Sequence, residues 1–256
     1  MTIKLFDLAG AEPDHRFSPC CWRTKLALAH KGLTVETIPW RFSDTDAIAM
    51  SDQARVPVLM DGDKIVSDSW TIAEYLEDTY QHRPFLFGSA EARALTRFIN
   101  SWADTVVNGA LVRLLLTDIY AHLHEKDRRY FRESREKRFG MPLEEVSADR
   151  DTRVVGFRQS LEPARIILAA QPYLAGGRPL YADDILFGCF MWARSISSFR
   201  VLTSDDPIYS WRERMLDGLS ALARKSPIVI FSLVRPLGQF DLLVMNLLVR
   251  NETQDV

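Results

Sequence analysis

Residues 18–25, Ser-Pro-Cys-Cys-Trp-Arg-Thr-Lys, place a hydroxyl and two thiols at the opening of a helix. Serine is a favoured helix N-cap, and proline is favoured at the first helical position. The backbone N–H groups just after the cap have no intrahelical acceptor. Together with the positive end of the helix dipole they attract an anion. A sulfur anion held by the Ser18 hydroxyl is the chemistry this arrangement suits. Ser-Pro is also an ordinary helix start, so the reading depends on what lies downstream.

Two downstream groups have matching chemistry. Arg55-Val56-Pro57-Val58 stands where a strand begins, a position that tolerates proline. Val56-Pro57 is a candidate cis peptide, a geometry that would turn the Val56 N–H and C=O outward to pair with an extended peptide as a strand does. Eleven residues after Pro57, Asp68-Ser69-Trp70 opens another helix. Its free N–H groups suit an α-carboxylate, and the Asp68 carboxylate suits an α-ammonium. A thiolate site, a strand edge and an amino-acid site converge on a thiol-bearing tripeptide.

The elements that must position these groups are readable from periodicity. Residues 3–8 and 34–39 read as strands, 18–31 as a helix ended by Lys31-Gly32, and 56–60 with 64–66 as a hairpin about Asp61-Gly62. Residues 68–80 read as a helix. Residues 81–88 read as a linker. The pattern then turns helical, with Leu95, Phe98, Ile99, Trp102, Val106, Leu111 and Leu115 marking one long buried-face helix. Residues 124–151 are strongly charged and read as a solvated helix and loop. Helices are expected over 153–170, 182–195 (apolar, at the domain centre) and 205–222. The expected domains are 1–80, 89–225 and an apolar extension, 226–256, that is interrupted by Arg235, Pro236, Gly238 and Asp241. None of its apolar runs reaches the ~20 residues a membrane span needs.

The chain has 256 residues, 47% of them hydrophobic and 26% charged, and a formal net charge of −2. That balance fits a soluble globular protein and gives no basic stripe for nucleic acid. The three cysteines, Cys20, Cys21 and Cys189, are an odd set suited to a reducing compartment, and the five histidines show no metal spacing. No secretory leader is evident. A cytoplasmic protein without metal or membrane attachment is expected.

The chain resembles the glutathione transferases over roughly residues 1–225. The resemblance rests on residues 18–23, on Val56-Pro57, on residues 68–76, on Tyr173-Leu174-Ala175-Gly176 and on Ala182-Asp183-Asp184-Ile185. Trp22-Arg23-Thr24-Lys25 with Asp68-Ser69-Trp70 looks closest to the bacterial lignin β-etherase branch. The resemblance implies an α/β thioredoxin-like N-terminal domain, an all-α C-terminal domain and a homodimer. It implies glutathione as co-substrate, with Ser18 at the catalytic place and Cys20 beside it. Val56-Pro57 would contact the cysteinyl unit, Arg55 the glycyl carboxylate, and Asp68 and Ser69 the γ-glutamyl head. A hydrophobic electrophile would lie between the domains, against Trp102, Val106, Arg113 and Tyr120. Conjugation leads, with reductive β-aryl ether cleavage, a non-catalytic ligand-binding role and a membrane-associating role as alternatives. Two departures stand out. Leu180 occupies a position usually held by a capping Ser or Thr, and the paired Cys20 and Cys21 leave thiol-exchange chemistry open.

Overall fold

The computed structural model describes residues 2–218; the extension 226–256 lies outside them. Strand β1 (Ile3–Leu8) pairs in parallel with β2 (Val35–Trp40) and antiparallel with β3 (Val58–Asp61), which pairs antiparallel with β4 (Lys64–Ser67). The order β2-β1-β3-β4 makes a mixed sheet. Helices α1 (Pro19–His30) and α2 (Ser69–Thr79) belong to this part. The parallel β1–β2 pair needs a crossover, and α1 is that crossover.

The rest is helical: α3 (Ala90–Trp102), α4 (Asn108–His122), α5 (Glu125–Phe139), α6 (Leu143–Val146), α7 (Arg150–Ser160), α8 (Glu162–Ala170), α9 (Tyr181–Ile196) and α10 (Pro207–Gly218). The helix expected over 153–170 is two helices, broken at Leu161 ahead of Pro163. The single long helix expected from residue 95 onward is interrupted by a π turn, Ala103–Val107. Its expected buried face is also corrected, because Leu95 is 72% exposed and Phe98 71%, whereas Leu111 and Leu115 are buried.

Helix α1 is largely buried, with Ala29 exposed and Pro19, Cys20 and His30 half-buried. It packs against α9 and α2, and Lys25 reaches Asp7 of β1. Its charged residues are therefore neutralised inside the protein. Lys25 meets buried Asp7 at 2.8 Å, and Lys31 meets Glu77 at 2.5 Å. Glu77 also accepts the N–H groups of Leu86 and Phe87, so the segment read as a linker is pinned in place. The approach of α1 to α9 is close enough to require a glycine. A Cβ on Gly188 would stand 2.8 Å from the Pro19 carbonyl oxygen.

Leu180 offers no side-chain acceptor, and Asp183 takes over at the start of α9. Its carboxylate accepts the N–H groups of Leu174 (2.7 Å), Ala175 (3.3 Å) and Leu180 (3.2 Å), and the indole N–H of Trp211 (2.9 Å). Burial raises the Asp183 pKa, and these donors pull against it. Asp183→Asn would turn an NH2 toward two of the four donors. It should cost about 1–3 kcal/mol, read as a lower urea midpoint; an unmoved midpoint would deny Asp183 this role.

Candidate functional site

The start of α1 opens on a cavity of about 810 Å³. Ser18 has extended backbone and caps the helix, its Oγ accepting from Cys21 N at 3.3 Å. It is 7% exposed and lines the cavity together with Pro19 and Cys20. A hydroxyl that already accepts from the backbone can turn its own hydrogen toward a bound anion. Arg55 and Val56 line the same cavity. The Val56-Pro57 peptide is cis, and sheet pairing of β3 begins only at Val58, which leaves the Val56 backbone groups outside the ladder. Pro57 itself is buried behind them.

Asp68 and Ser69 do not line this cavity but adjoin it, the Ser69 hydroxyl facing the Cys20 thiol. Asp68 is exposed with φ +74°, a conformation unusual for a non-glycine residue and shared, among the described residues, with Asp52 and Asp149. One oxygen, Oδ1, takes all its capping bonds, from Trp70 N and Thr71 N at 3.0 Å each and from the Thr71 hydroxyl. Oδ2 is left for a cation outside.

Beneath this arrangement lies Arg23, wholly buried. Its guanidinium donates to Asp104 at 2.7 Å, to Asn100 at 3.2 Å, to the Ile185 carbonyl at 3.3 Å and to the Cys189 sulfur at 3.6 Å. Asp104 sits in the π turn, is 42% exposed and lines the cavity. It also accepts from Asn100 (2.9 Å) and Asn108 (3.5 Å), and the Asn108 Oδ1 is buried without a partner.

None of the four residues expected around the electrophile lines the cavity. Trp102 is half-buried elsewhere, Val106 is 39% exposed, Arg113 lies over the Phe139 ring, and Tyr120 packs between Phe131 and Arg132. The wall is formed instead by Asp104, Asn108, Gly109 and Val112. The π turn moves the helix phase, and an uninterrupted 3.6-residue period selects the wrong positions. The facing wall was also missed. Tyr130, Phe131, Arg135 and Arg138 come from α5, within the stretch read as solvated. The i, i+4, i+7 spacing of Phe131, Arg135 and Arg138 was the signal available, masked by the charge around it.

The cysteines divide by environment. Cys21 and Cys189 are fully buried, and burial pushes the Cys189 thiol up to about 11 and Cys21 well above the ordinary range. Cys20 is half-buried. Burial raises its pKa too; Arg23 opposes this, while Asp104 adds to it.

Comparison with known proteins gives one family. The family model described as "Glutathione S-transferase, N-terminal domain" matches residues 17–79, and "Glutathione S-transferase, C-terminal domain" matches residues 94–213. Glutathione S-transferase Z2 of Arabidopsis thaliana is 35% identical over 113 residues, 41% of this chain and 51% of that protein. The chain thus spans about half the length of the curated relatives it matches. A glutathione S-transferase of Ceriporiopsis subvermispora, solved in complex with glutathione, superposes with a TM-score of 0.73 at 25% identity, covering 91% of this chain and 100% of that one. A glutathione transferase of Phanerochaete chrysosporium gives 0.70 at 25% identity, over 84% and 90%.

A raised pKa leaves less thiolate at any given pH. Iodoacetamide should therefore modify Cys20 slowly at neutral pH and faster only as the solution becomes clearly alkaline, with Cys21 and Cys189 spared while the fold holds. Peptide mass spectrometry reads this. Rapid labelling of Cys20 at neutral pH would show an activated thiol instead.

Proposed function

The chain belongs to the glutathione S-transferase family, and from that premise we propose that it binds glutathione with the sulfur at Ser18 and transfers the tripeptide to a hydrophobic electrophile. The observation that carries this is the Ser18 hydroxyl, at a helix start, in one cavity with the unpaired backbone of Val56. The cysteinyl unit pairs with Val56, the glycyl carboxylate meets Arg55, and the γ-glutamyl head meets the start of α2, its ammonium on Asp68 Oδ2.

A free thiol has a pKa near 8.5, so roughly 3% is ionised at pH 7. Lowering it by about two units needs about 2.7 kcal/mol. One charge-assisted hydrogen bond supplies about 1.5–3 kcal/mol and a helix N-terminus about 0.3–1. These are sufficient without a separate base. The thiolate sulfur then forms a C–S bond at the electrophilic carbon, and the leaving group departs with its bonding electron pair. Aromatic side chains from Trp40, Phe42, Tyr130 and Phe131 suit an aryl acceptor.

The apolar face of α3 supports the homodimer. Leu95 and Phe98 are exposed beside Arg97, which lies over the Trp70 ring, and Arg93, which bridges to Glu74 and Asp78. A second copy covering this face accounts for two large apolar side chains in water. Three free cysteines favour a reducing compartment, and no helix among the described residues is long and apolar enough to cross a membrane. We place the protein in the cytoplasm.

Ser18→Ala should leave glutathione binding in place while thiolate absorbance and turnover with an aryl halide fall together, by about tenfold or more. Unchanged turnover would remove Ser18 from the mechanism. In the same assays, phenol release from a β-aryl ether marks reductive ether cleavage, and retention on immobilised glutathione without turnover marks a binding protein. Phe98→Asp should shift the protein to a monomer in sedimentation; no shift would place the contact elsewhere.

A further inference from the structure

Helix α5 distributes its charges unevenly. On its outer side Arg129 pairs with Glu133 at 2.8 Å, and Arg132 pairs with Glu136 and Glu144, each at 2.8 Å. On its cavity side Arg135 and Arg138 have no carboxylate within ion-pair distance among the described residues. The nearby acids are already engaged by the outward arginines. Arg55 stands close enough on the opposite wall to repel Arg135. Among the described residues, three guanidinium groups without a carboxylate partner therefore face one cavity, and the one carboxylate lining it, Asp104, is engaged by Arg23.

Arg135 is held in a defined pose. Its guanidinium stacks over the Phe131 ring at 4.6 Å and the Phe42 ring at 5.6 Å, and it donates to the Ser134 hydroxyl at 2.8 Å. Stacking occupies the faces of the group and leaves N–H edges for a planar, bidentate acceptor. Burial depresses the Arg135 pKa; a hydrogen bond to Tyr130 opposes this, and the charges of Arg138 and Arg55 add to it, so the three guanidinium groups repel one another and an anion relieves that repulsion. Arg55 adjoins Val56 in the chain and goes with the tripeptide. Arg135 and Arg138 lie on the helical wall, among the aromatic rings.

We infer that Arg135, assisted by Arg138, binds a carboxylate on the second substrate, so that the preferred acceptor is an aromatic acid and not a neutral hydrocarbon-like electrophile. The inference rests on the transferase reading for the reaction but not for the anion site. Tyr130, Phe131 and Phe42 receive the ring, and the guanidinium groups select for the charge.

The test compares chlorodinitrobenzene with chlorodinitrobenzoate, aryl halides that differ by a carboxylate. The wild-type protein should show the lower KM for the benzoate. Arg135→Gln should reduce the discrimination between the two by about tenfold, Arg138→Gln should reduce it by less, and Arg135→Lys should restore part of it. Added salt should erode the preference in the wild type and not in Arg135→Gln. Equal loss toward both halides, or a raised glutathione KM with the acceptor ratio unchanged, would overturn the assignment. If neither halide reacts, the transferase reading fails. Fluorescence titration of wild type and Arg135→Gln with unreactive dinitrobenzoate against dinitrobenzene then decides the anion site independently: Arg135-dependent binding of the acid alone supports it, and equal binding overturns it.

Discussion

A guanidinium excluded from water must find its hydrogen-bond acceptors inside the protein, and Arg23 finds them in two stretches far from it in the chain. It belongs to α1, and its partners are the π turn and the end of α3 on one side and α9 on the other. Helix α1 carries Ser18 at its start, the π turn carries the cavity wall, and α9 is the most deeply buried helix. One side chain thus ties the helix that carries Ser18 to the segment that carries Asp104 in the cavity wall. Removing the acceptors of a buried guanidinium is far more disruptive than the net worth of the bonds suggests, because the buried charge loses its compensation.

The grouping of Ser18, Cys20, Arg55 and Val56 around one cavity was readable in the sequence because its signals are local. Ser18-Pro19, Val56-Pro57 and Asp68-Ser69 each combine a backbone position with a side chain suited to it, and the structure puts Ser18, Cys20, Arg55 and Val56 on one cavity with Ser69 beside it. The α/β part followed by an all-helical part was legible for the same reason, since alternation and capping recur at short range. The acceptor wall was not legible. It depends on how α3, α4 and α5 are turned relative to α1, and helical phase across a π turn has no signature in a single sequence. The exposed Leu95 and Phe98 show the related limit: an apolar stripe announces burial without saying whether the cover comes from the same chain.

The charge pattern of the cavity follows from this division. Under the proposed function, groups near the helix starts, together with Arg55, would hold a small zwitterionic peptide whose charges sit at its ends. The opposite wall is aromatic with guanidinium groups stacked on its rings, and such stacking retains charge without sacrificing apolar contact. Polar recognition and apolar packing are thereby combined on one face, while the orphaned Asn108 Oδ1 adds an acceptor near Asp104.

The π turn at Ala103–Val107 has a consequence for how such a cavity can change over time. One additional residue in a helical segment advances everything after it by about 100° around the axis. Asn108, Gly109 and Val112 therefore face the cavity by virtue of a single unit of length, and the side chains preceding the turn keep their own orientation. A lineage that gained or lost that unit would exchange one entire set of wall residues for another in a single step, with α1, its cap and the thiol-binding face untouched. The wall built by α4 can thus be replaced wholesale while the face that carries Ser18 stays where it is.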